Sequence, residues 1–256
     1  MKLTILGCGG SNGVPLVGGI WGNCNPNNPR NRRLRASVLV EDGATRLLVD
    51  SSPDLRQQLL AAGTGQIDAV IYTHPHADHL HGIDDLRMVN VLRNAALDIY
   101  GEAPTLAQIR TRFGYALTPL SANSQGYFYK PCLVPHEIVG PFRVGTIDVV
   151  PFEQDHGYSK TLGLRFGPIA YSTDVVSLGE AAFKALAGVK AWVVDCLRFA
   201  PHETHSHFDK TLGWIARVKP ERAILTHMNH AMDYDSVSVC CPPGVEPAYD
   251  GLAVEV

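Results

Sequence analysis

Three imidazoles and a carboxylate fall within one short segment, His74-Pro75-His76-Ala77-Asp78-His79, directly behind the apolar run Ala69-Val70-Ile71-Tyr72. That run is short, bounded and partly β-branched, the pattern of a buried strand. A chain built this way must bring a strand out to an edge where polar side chains can leave it. His74 and His76 lie two apart, so in extended backbone they point to the same side. Asp78 and His79 follow where the chain must turn. One segment thus offers a ligand pair to a first metal ion and a second pair to an ion beside it. Imidazole and carboxylate without thiolate suit zinc, manganese or iron. One histidine at a strand end is commonly structural; three with an aspartate are the mark of a metal site.

The rest of the chain alternates short apolar runs with helical patterns. Strands are expected at Leu3–Leu6, Ala36–Val40, Arg46–Val49, Ala69–Tyr72, Asp98–Tyr100, Thr146–Val150, Leu162–Phe166, Ile169–Ser172, Ala191–Val194 and Ala223–Thr226, with Gly251–Val256 as an edge strand. Helices are expected from Ser52-Pro53-Asp54, an N-cap signal, to Gly63, and at Gly82–Asn94, Leu178–Leu186 and Phe208–Val218. Strands broken by helices in both halves point to a layered α/β or α+β domain. With no internal repeat or low-complexity linker, residues 1–256 read as one domain. The irregular stretch 112–141 is open to two readings, a surface connection or a lid over a site.

Bulk properties narrow the partners. A formal net charge of −3 does not suit a protein that grips extended nucleic acid by charge. No apolar run approaches the roughly 18–20 residues that cross a bilayer. Met1 to Gly10 is too short and glycine-rich for a signal peptide and reads as the first strand. Six cysteines without a paired framework or CxxC suit a reducing, cytosolic setting. A homodimer is compatible with the sequence, which does not fix the oligomeric state.

A metal pair needs more ligands than one loop supplies. Asp155-His156 follows Val149-Val150-Pro151-Phe152, Asp174 follows Ile169-Ala170-Tyr171-Ser172, and His227 follows Ile224-Leu225-Thr226. Each repeats the same pattern of an apolar strand ending in a ligand-type side chain, and open sheets place ligands at one edge in this way.

His74-His76-Asp78-His79 with His156, Asp174 and His227 resembles the signature of the metallo-β-lactamase fold. The opening Gly7-Cys8-Gly9-Gly10-Ser11-Asn12-Gly13-Val14-Pro15, Asp50 and Ser172-Thr173-Asp174 fit as well. Within that fold the chain is most similar to the PhnP-type cyclic phosphodiesterases, relatives of the tRNA 3′-end endonuclease. The shared marks are Asn31-Arg32-Arg33, Asp195-Cys196, His207-Phe208-Asp209 and Leu225-Thr226-His227-Met228-Asn229-His230. The resemblance implies a four-layer αββα sandwich and two divalent ions, zinc, manganese or iron. It implies His74, His76 and His156 on one ion, Asp78, His79 and His227 on the other, Asp174 bridging them, and His207 as general acid. It also implies a small phosphodiester substrate, cyclic or linear and nucleotide- or sugar-like, attacked by a metal-bound hydroxide, with Asp78 and Asp174 offsetting part of the ions' charge. The family's cysteine cluster, which holds a structural zinc with the histidine matching His230, is reduced here to Cys24. That zinc is therefore expected to be missing, since zinc wants four ligands.

Several assignments stay open. His202, His205 and His207 share one polar loop, and only the resemblance selects His207. Asp50 is either a carboxylate that orients a ligating imidazole or a helix-capping residue. Arg32, Arg33 and Arg35 form a basic knot that either meets a phosphate or packs as an ordinary solvated face. A thioesterase of glyoxalase type and a non-catalytic metal- or nucleotide-binding sensor are the alternative functions, because fold does not fix function.

Overall fold

A computed structural model describes residues 1–121 and 127–256. The first half lays down β1 (Lys2–Gly7), β2 (Ser37–Asp42), β3 (Thr45–Val49), α1 (Leu55–Ala61), β4 (Ala69–Ile71), α2 (Ala77–Leu80), α3 (Leu86–Arg93), β5 (Leu97–Gly101), α4 (Ala103–Phe113) and β6 (Leu133–Glu137). The second lays down β7 (Phe142–Val144), β8 (Ile147–Asp155), β9 (Lys160–Phe166), β10 (Ile169–Ser172), α5 (Glu180–Leu186), β11 (Ala191–Asp195), α6 (Phe208–Val218), β12 (Arg222–Thr226), α7 (Tyr234–Cys240), β13 (Val245–Pro247) and β14 (Ala253–Glu255).

Two seven-stranded sheets result, in the orders β14-β1-β2-β3-β4-β5-β6 and β13-β12-β11-β10-β9-β8-β7. Each half starts antiparallel and ends parallel. The hairpin of β2 and β3 turns at Gly43, whose φ of 57° suits a residue without Cβ. From β3 onward the pairs to β6 are parallel, as are those from β10 to β13. Parallel neighbours need crossovers, and the helices supply them. The two-residue period decides which side chain goes where. Val38, Val40, Leu47, Val49, Ala69 and Ile71 enter the core shared with Val149, Leu164, Tyr171 and Val193 of the second sheet. The intervening Leu39, Leu48, Val70 and Tyr72 face a separate core with Leu55, Leu86, Val89 and Ile109 of α1, α3 and α4. Ala182, Leu186, Phe208, Ile215 and Val237 of α5, α6 and α7 close the outer face of the second sheet. The architecture is the αββα sandwich.

Some elements differ from the sequence reading. β7 and β13 have only three residues each, and β6, Leu133-Val134-Pro135-His136-Glu137, is interrupted by a proline and ends polar, so no apolar run announces them. α4 carries Pro104 in its first turn, where the missing N–H costs nothing. α1 begins at Leu55 with Asp54 at its cap, because the Ser52 hydroxyl accepts from the Asp54 N–H and donates to Gln58. Within 112–141 lie the end of α4, a 3-10 turn at Gly114–Leu117 and β6. Residues 122–126 of that candidate lid fall outside the described residues. Arg112 donates to the Pro75 carbonyl at 2.7 Å, so the end of α4 is tied to the histidine segment. Among the described residues no helix is long and apolar enough to cross a membrane.

Candidate metal centre

The carboxyl ends of the strands meet at one edge of the sandwich. β4 leads into Thr73 and His74, and α2 then presents Asp78 and His79 on a single helical turn. His156 directly follows β8, Asp174 lies just past β10, Asp195 ends β11 and His227 directly follows β12. Asp50, Asp174 and His227 take φ values of 62°, 52° and 58°.

The ligand atoms of His74, His76, His156 and Asp174 lie within 4.8 Å of one another, as do those of Asp78, His79, Asp174 and His227. Asp174 belongs to both groups and divides its oxygens between them. Its Oδ1 lies 3.1 Å from His79 Nε2 and 3.2 Å from His227 Nε2. Its Oδ2 lies 3.6 Å from His74 Nε2 and 3.7 Å from His156 Nε2. Asp78 Oδ2 is 3.4 Å from His79 Nε2 and 3.7 Å from His227 Nε2. All seven residues expected from the sequence are thus brought together.

The donor set fits divalent cations. The Nε2 atoms of His74, His79 and His227 are buried and find no hydrogen-bond partner among the described residues, a costly state unless something else takes their lone pairs. Burial, with His79 close by, keeps His74 well below the ordinary imidazole pKa, and burial also lowers His76 and His156. Neutral imidazole is the ligating form. Burial pushes Asp78 and Asp174 up, but the imidazoles outweigh it, His79 foremost at Asp78 and His227 at Asp174. Both carboxyls are held below the usual range. Burial pulls His79 down, yet Asp174, Asp78 and Asp50 carry it well above its ordinary value. Three carboxylates therefore draw positive charge to this point.

The outward nitrogens of His74, His79 and His156 are fixed by protein groups, as ligating imidazoles require. His79 Nδ1 donates to Asp50 Oδ2 at 2.7 Å. Asp50 also accepts from the Thr73 N–H and hydroxyl, both at 2.8 Å. With its proton so committed, Thr73 Oγ1 accepts from His74 Nδ1 at 3.0 Å. His156 Nδ1 donates to the Thr204 carbonyl at 2.7 Å. Asp50 therefore orients an imidazole and caps no helix.

In the loop before α6 the structure places His205, rather than His207, beside the cluster. His207 is the N-cap residue of α6 and bridges to Arg198 through its backbone; it is not part of either group. His205 is the residue at the centre. Its Nε2 lies 3.8 Å from Asp174 Oδ2, its ring stacks on His227 with centroids 4.7 Å apart, and its Nδ1 donates to Asp195 at 3.0 Å. Burial pulls this imidazole down, but Asp195 and Asp174 push it up to about 9 overall. The available signal was Asp195, an acid ending an apolar strand in the same pattern as the other site residues.

Arg33 is buried and its guanidinium is committed to the Met232 carbonyl at 2.6 Å, the Asn229 carbonyl at 3.2 Å and Asn31 at 3.3 Å. It also lies 3.8 Å from Cys24 Sγ, so a guanidinium ties the Cys24 loop to the segment around His230. Arg33 is structural, and Arg32 is exposed over the Trp21 ring, away from the cluster. His230 accepts the Asn23 N–H through its carbonyl and lines one arm of the cleft.

That cleft has two arms meeting at Ser11 and His205. One, about 370 Å³, is lined by His76, Asp78, His156, Tyr158 and Asp174. The other, about 210 Å³, is lined by Gly10, Asn12, Arg198, His202, His227 and His230.

Comparison with known proteins agrees with this geometry. Residues 45–228, well over half the chain, match the model of the beta-lactamase superfamily domain. The solved structure of a diphosphatase from the PhnP family superposes with a TM-score of 0.89 at 31% identity, covering 99% of this chain and 96% of that one. An octanoyltransferase of Porphyromonas gingivalis is 32% identical over 262 residues, covering 98% of this chain and 51% of that protein. A ribonuclease Z of Bradyrhizobium sp. is 35% identical over 82 residues, covering 30% of this chain and 27% of that enzyme. The chain thus spans about half the length of the octanoyltransferase, and the match to the ribonuclease Z spans about a quarter of that enzyme.

Proposed function

We propose a specific activity from the premise that this chain belongs to the beta-lactamase superfamily and, within it, to the PhnP family. It is a metal-dependent hydrolase. The activity proposed is cleavage of a small phosphodiester at a site holding two divalent ions. The observation that carries the reading is Asp174, whose two oxygens face two histidine groups. His74, His76 and His156 would hold one ion, Asp78, His79 and His227 the other, and Asp174 both. When bound, such a pair polarises a phosphoryl oxygen and acidifies water near neutral pH.

The chain's own groups supply the rest. Asp50 and Thr73 keep the lone pairs of His79 and His74 aimed inward. His205 lines the cleft with Nε2 3.8 Å from Asp174, and Asp195 and Asp174 favour its protonated form. As the P–O bond to the leaving alkoxide breaks, the Nε2 proton passes to that oxygen and the electron pair stays with it. Asp195 holds the ring and favours the imidazolium before transfer. The two arms suit a small substrate. The diphosphatase and ribonuclease Z among the similar proteins support phosphoester chemistry. Cysteines with no disulfide among them suit a reducing cytoplasm.

A second reading, hydrolysis of an acyl thioester, draws on the likeness to about half of a protein named for acyl transfer, the octanoyltransferase. One assay separates the two. Metal-loaded protein is offered cyclic and linear phosphodiesters beside an acyl thioester. Turnover of a diester is expected; turnover of the thioester alone would replace the first reading with the second.

A further inference from the structure

Behind the turn Gly10–Gly13 lies a second cavity of about 600 Å³, whose wall includes Arg30, Arg32, Arg35, Asp54 and Tyr249. Asn12 and Gly13 line both this cavity and the smaller arm of the cleft, so one turn separates them. Its arginines are held in an unusual way. The Arg30 guanidinium sits 4.8 Å from the Tyr234 ring centroid and 5.0 Å from that of Tyr249. The Arg32 guanidinium sits 5.0 Å from the Trp21 ring. Among the described residues, neither guanidinium has a hydrogen-bond or carboxylate partner. Aromatic faces fix a cation without using its N–H groups, so both forks stay free for an anion. Arg35 is different, since Asp54 pairs with it at 2.9 Å.

Carboxylates nearby do not cancel this charge. Asp54 is occupied by Arg35 and by the Arg35 N–H. Asp250, the other acid of the wall, turns its oxygens to the N–H groups of Cys8 and Leu34 at 3.0 and 2.7 Å. Two planar forks at the solvent-open wall of this pocket match the oxygens of a phosphate.

We propose that Arg30 and Arg32 form a subsite for a phosphate group carried by a small molecule, across the Gly10–Gly13 turn from the metal centre. If the phosphodiesterase reading holds, that group is a second phosphate of the substrate or belongs to a separate effector. Binding itself does not depend on that reading.

The test measures inorganic phosphate binding by calorimetry to the metal-loaded protein and to Arg30→Gln, Arg32→Gln and Arg32→Lys. Arg32 is exposed, so its variants should fold even if loss of Arg30 loosens its two tyrosines; melting curves check this. The glutamine variants should weaken one phosphate-binding event by about 10–100-fold, the worth of a charge-assisted contact. Arg32→Lys should lose most of the same affinity, because an ammonium lacks the fork. Two kinetic arms identify the source. If the phosphate belongs to the substrate, Arg32→Gln raises KM for diesters bearing an extra phosphate and leaves bis-p-nitrophenyl phosphate unchanged. If it is an effector, free phosphate alters the parent's rate on bis-p-nitrophenyl phosphate and not that of Arg32→Gln. Equal phosphate affinity in the parent and both folded glutamine variants overturns the proposal. Parent protein that binds phosphate through these arginines yet cleaves no diester leaves the pocket standing and removes the activity.

Discussion

Replacing Asp50 by asparagine should weaken both metal positions although Asp50 itself belongs to neither group. The side chain is fully buried and accepts three hydrogen bonds, from His79 Nδ1, the Thr73 N–H and the Thr73 hydroxyl. An ionised carboxylate only accepts, so it fixes the proton on His79 Nδ1 and leaves Nε2 bare. It also fixes the Thr73 proton, which makes Thr73 Oγ1 an acceptor for His74 Nδ1 and leaves that Nε2 bare too. An asparagine NH₂ at Oδ2 reverses the chain. It donates to His79 Nδ1 and to Thr73 Oγ1, the Thr73 proton turns to His74 Nδ1, and both Nε2 atoms become N–H groups. His79 and His74 sit in different groups, so both lose a ligand lone pair. Loss of such an orienting partner costs about 10–100-fold in metal affinity, or about 1.4–2.8 kcal/mol per ion. Asparagine tolerates the positive φ of residue 50 as well as aspartate does, so the backbone should not confuse the result. Chelator competition followed by elemental analysis gives the two affinities. If the variant keeps both ions at the parent's affinity, or loses only one, the proton relay through Thr73 is wrong.

Asp174→Ala should release both ions together and abolish turnover, read by elemental analysis; retention of either ion at full affinity would show that Asp174 does not serve both. His205→Ala should keep both ions but slow alkyl phosphodiester cleavage by ~10²–10⁴-fold, with a smaller loss on p-nitrophenyl esters, while His207→Ala changes rates little; equal loss on both ester types would remove His205 as the proton donor. Burial outweighs the Leu34 and Cys8 N–H groups and Arg33, and raises Asp250 to about 7. The folded state then binds this proton more tightly than the unfolded chain does. Its contribution, on the order of 4 kcal/mol, is full below about pH 4 and gone above about pH 7. Denaturant titrations of Asp250→Asn against pH should show that slope flattened, and an unchanged slope would refute it.

The parts of the site legible in the sequence share one property: a ligand-type residue directly behind a short apolar run. His74, His156, Asp174 and His227 all show it, and the architecture follows from where those runs lie. What stayed hidden depends on pairing across space. His205 and His207 are two apart in one polar loop, and only Asp195, ending β11, selects His205. Arg32 and Arg33 are adjacent and chemically identical. One is buried against main-chain carbonyls and the other lies over Trp21, a difference set by residues about 200 positions away and by a loop fold that no local pattern reveals. α4, α7 and the strands β6, β7 and β13 carry no apolar run of their own that marks them: β7 and β13 have three residues each, and Pro135 interrupts β6.

Among the non-glycine residues with positive φ, Asp50, Asp174 and His227 all sit at the metal centre. Such a conformation costs an L-residue about 1–2 kcal/mol, and random placement would scatter it through surface turns, as at Asn94 and Lys219. Its concentration has a geometric cause. A residue continuing each strand would alternate its side chain into one of the two cores. A single left-handed residue instead breaks the extended path just past the ends of β3, β10 and β12 and redirects the side chain across the sheet edge. Three strands from two different sheets can then aim Asp50, Asp174 and His227 at one point. Aspartate tolerates this backbone well, which suits positions 50 and 174. At His227 the strain is less readily absorbed, and both ring nitrogens are buried without a hydrogen-bond partner among the described residues. The interaction that compensates must therefore come from what the ring faces, Asp78, Asp174 and the cation their charge attracts. On this argument removal of metal should relax His227 before any other site residue, and its ring resonances should be the first to broaden when chelator is added.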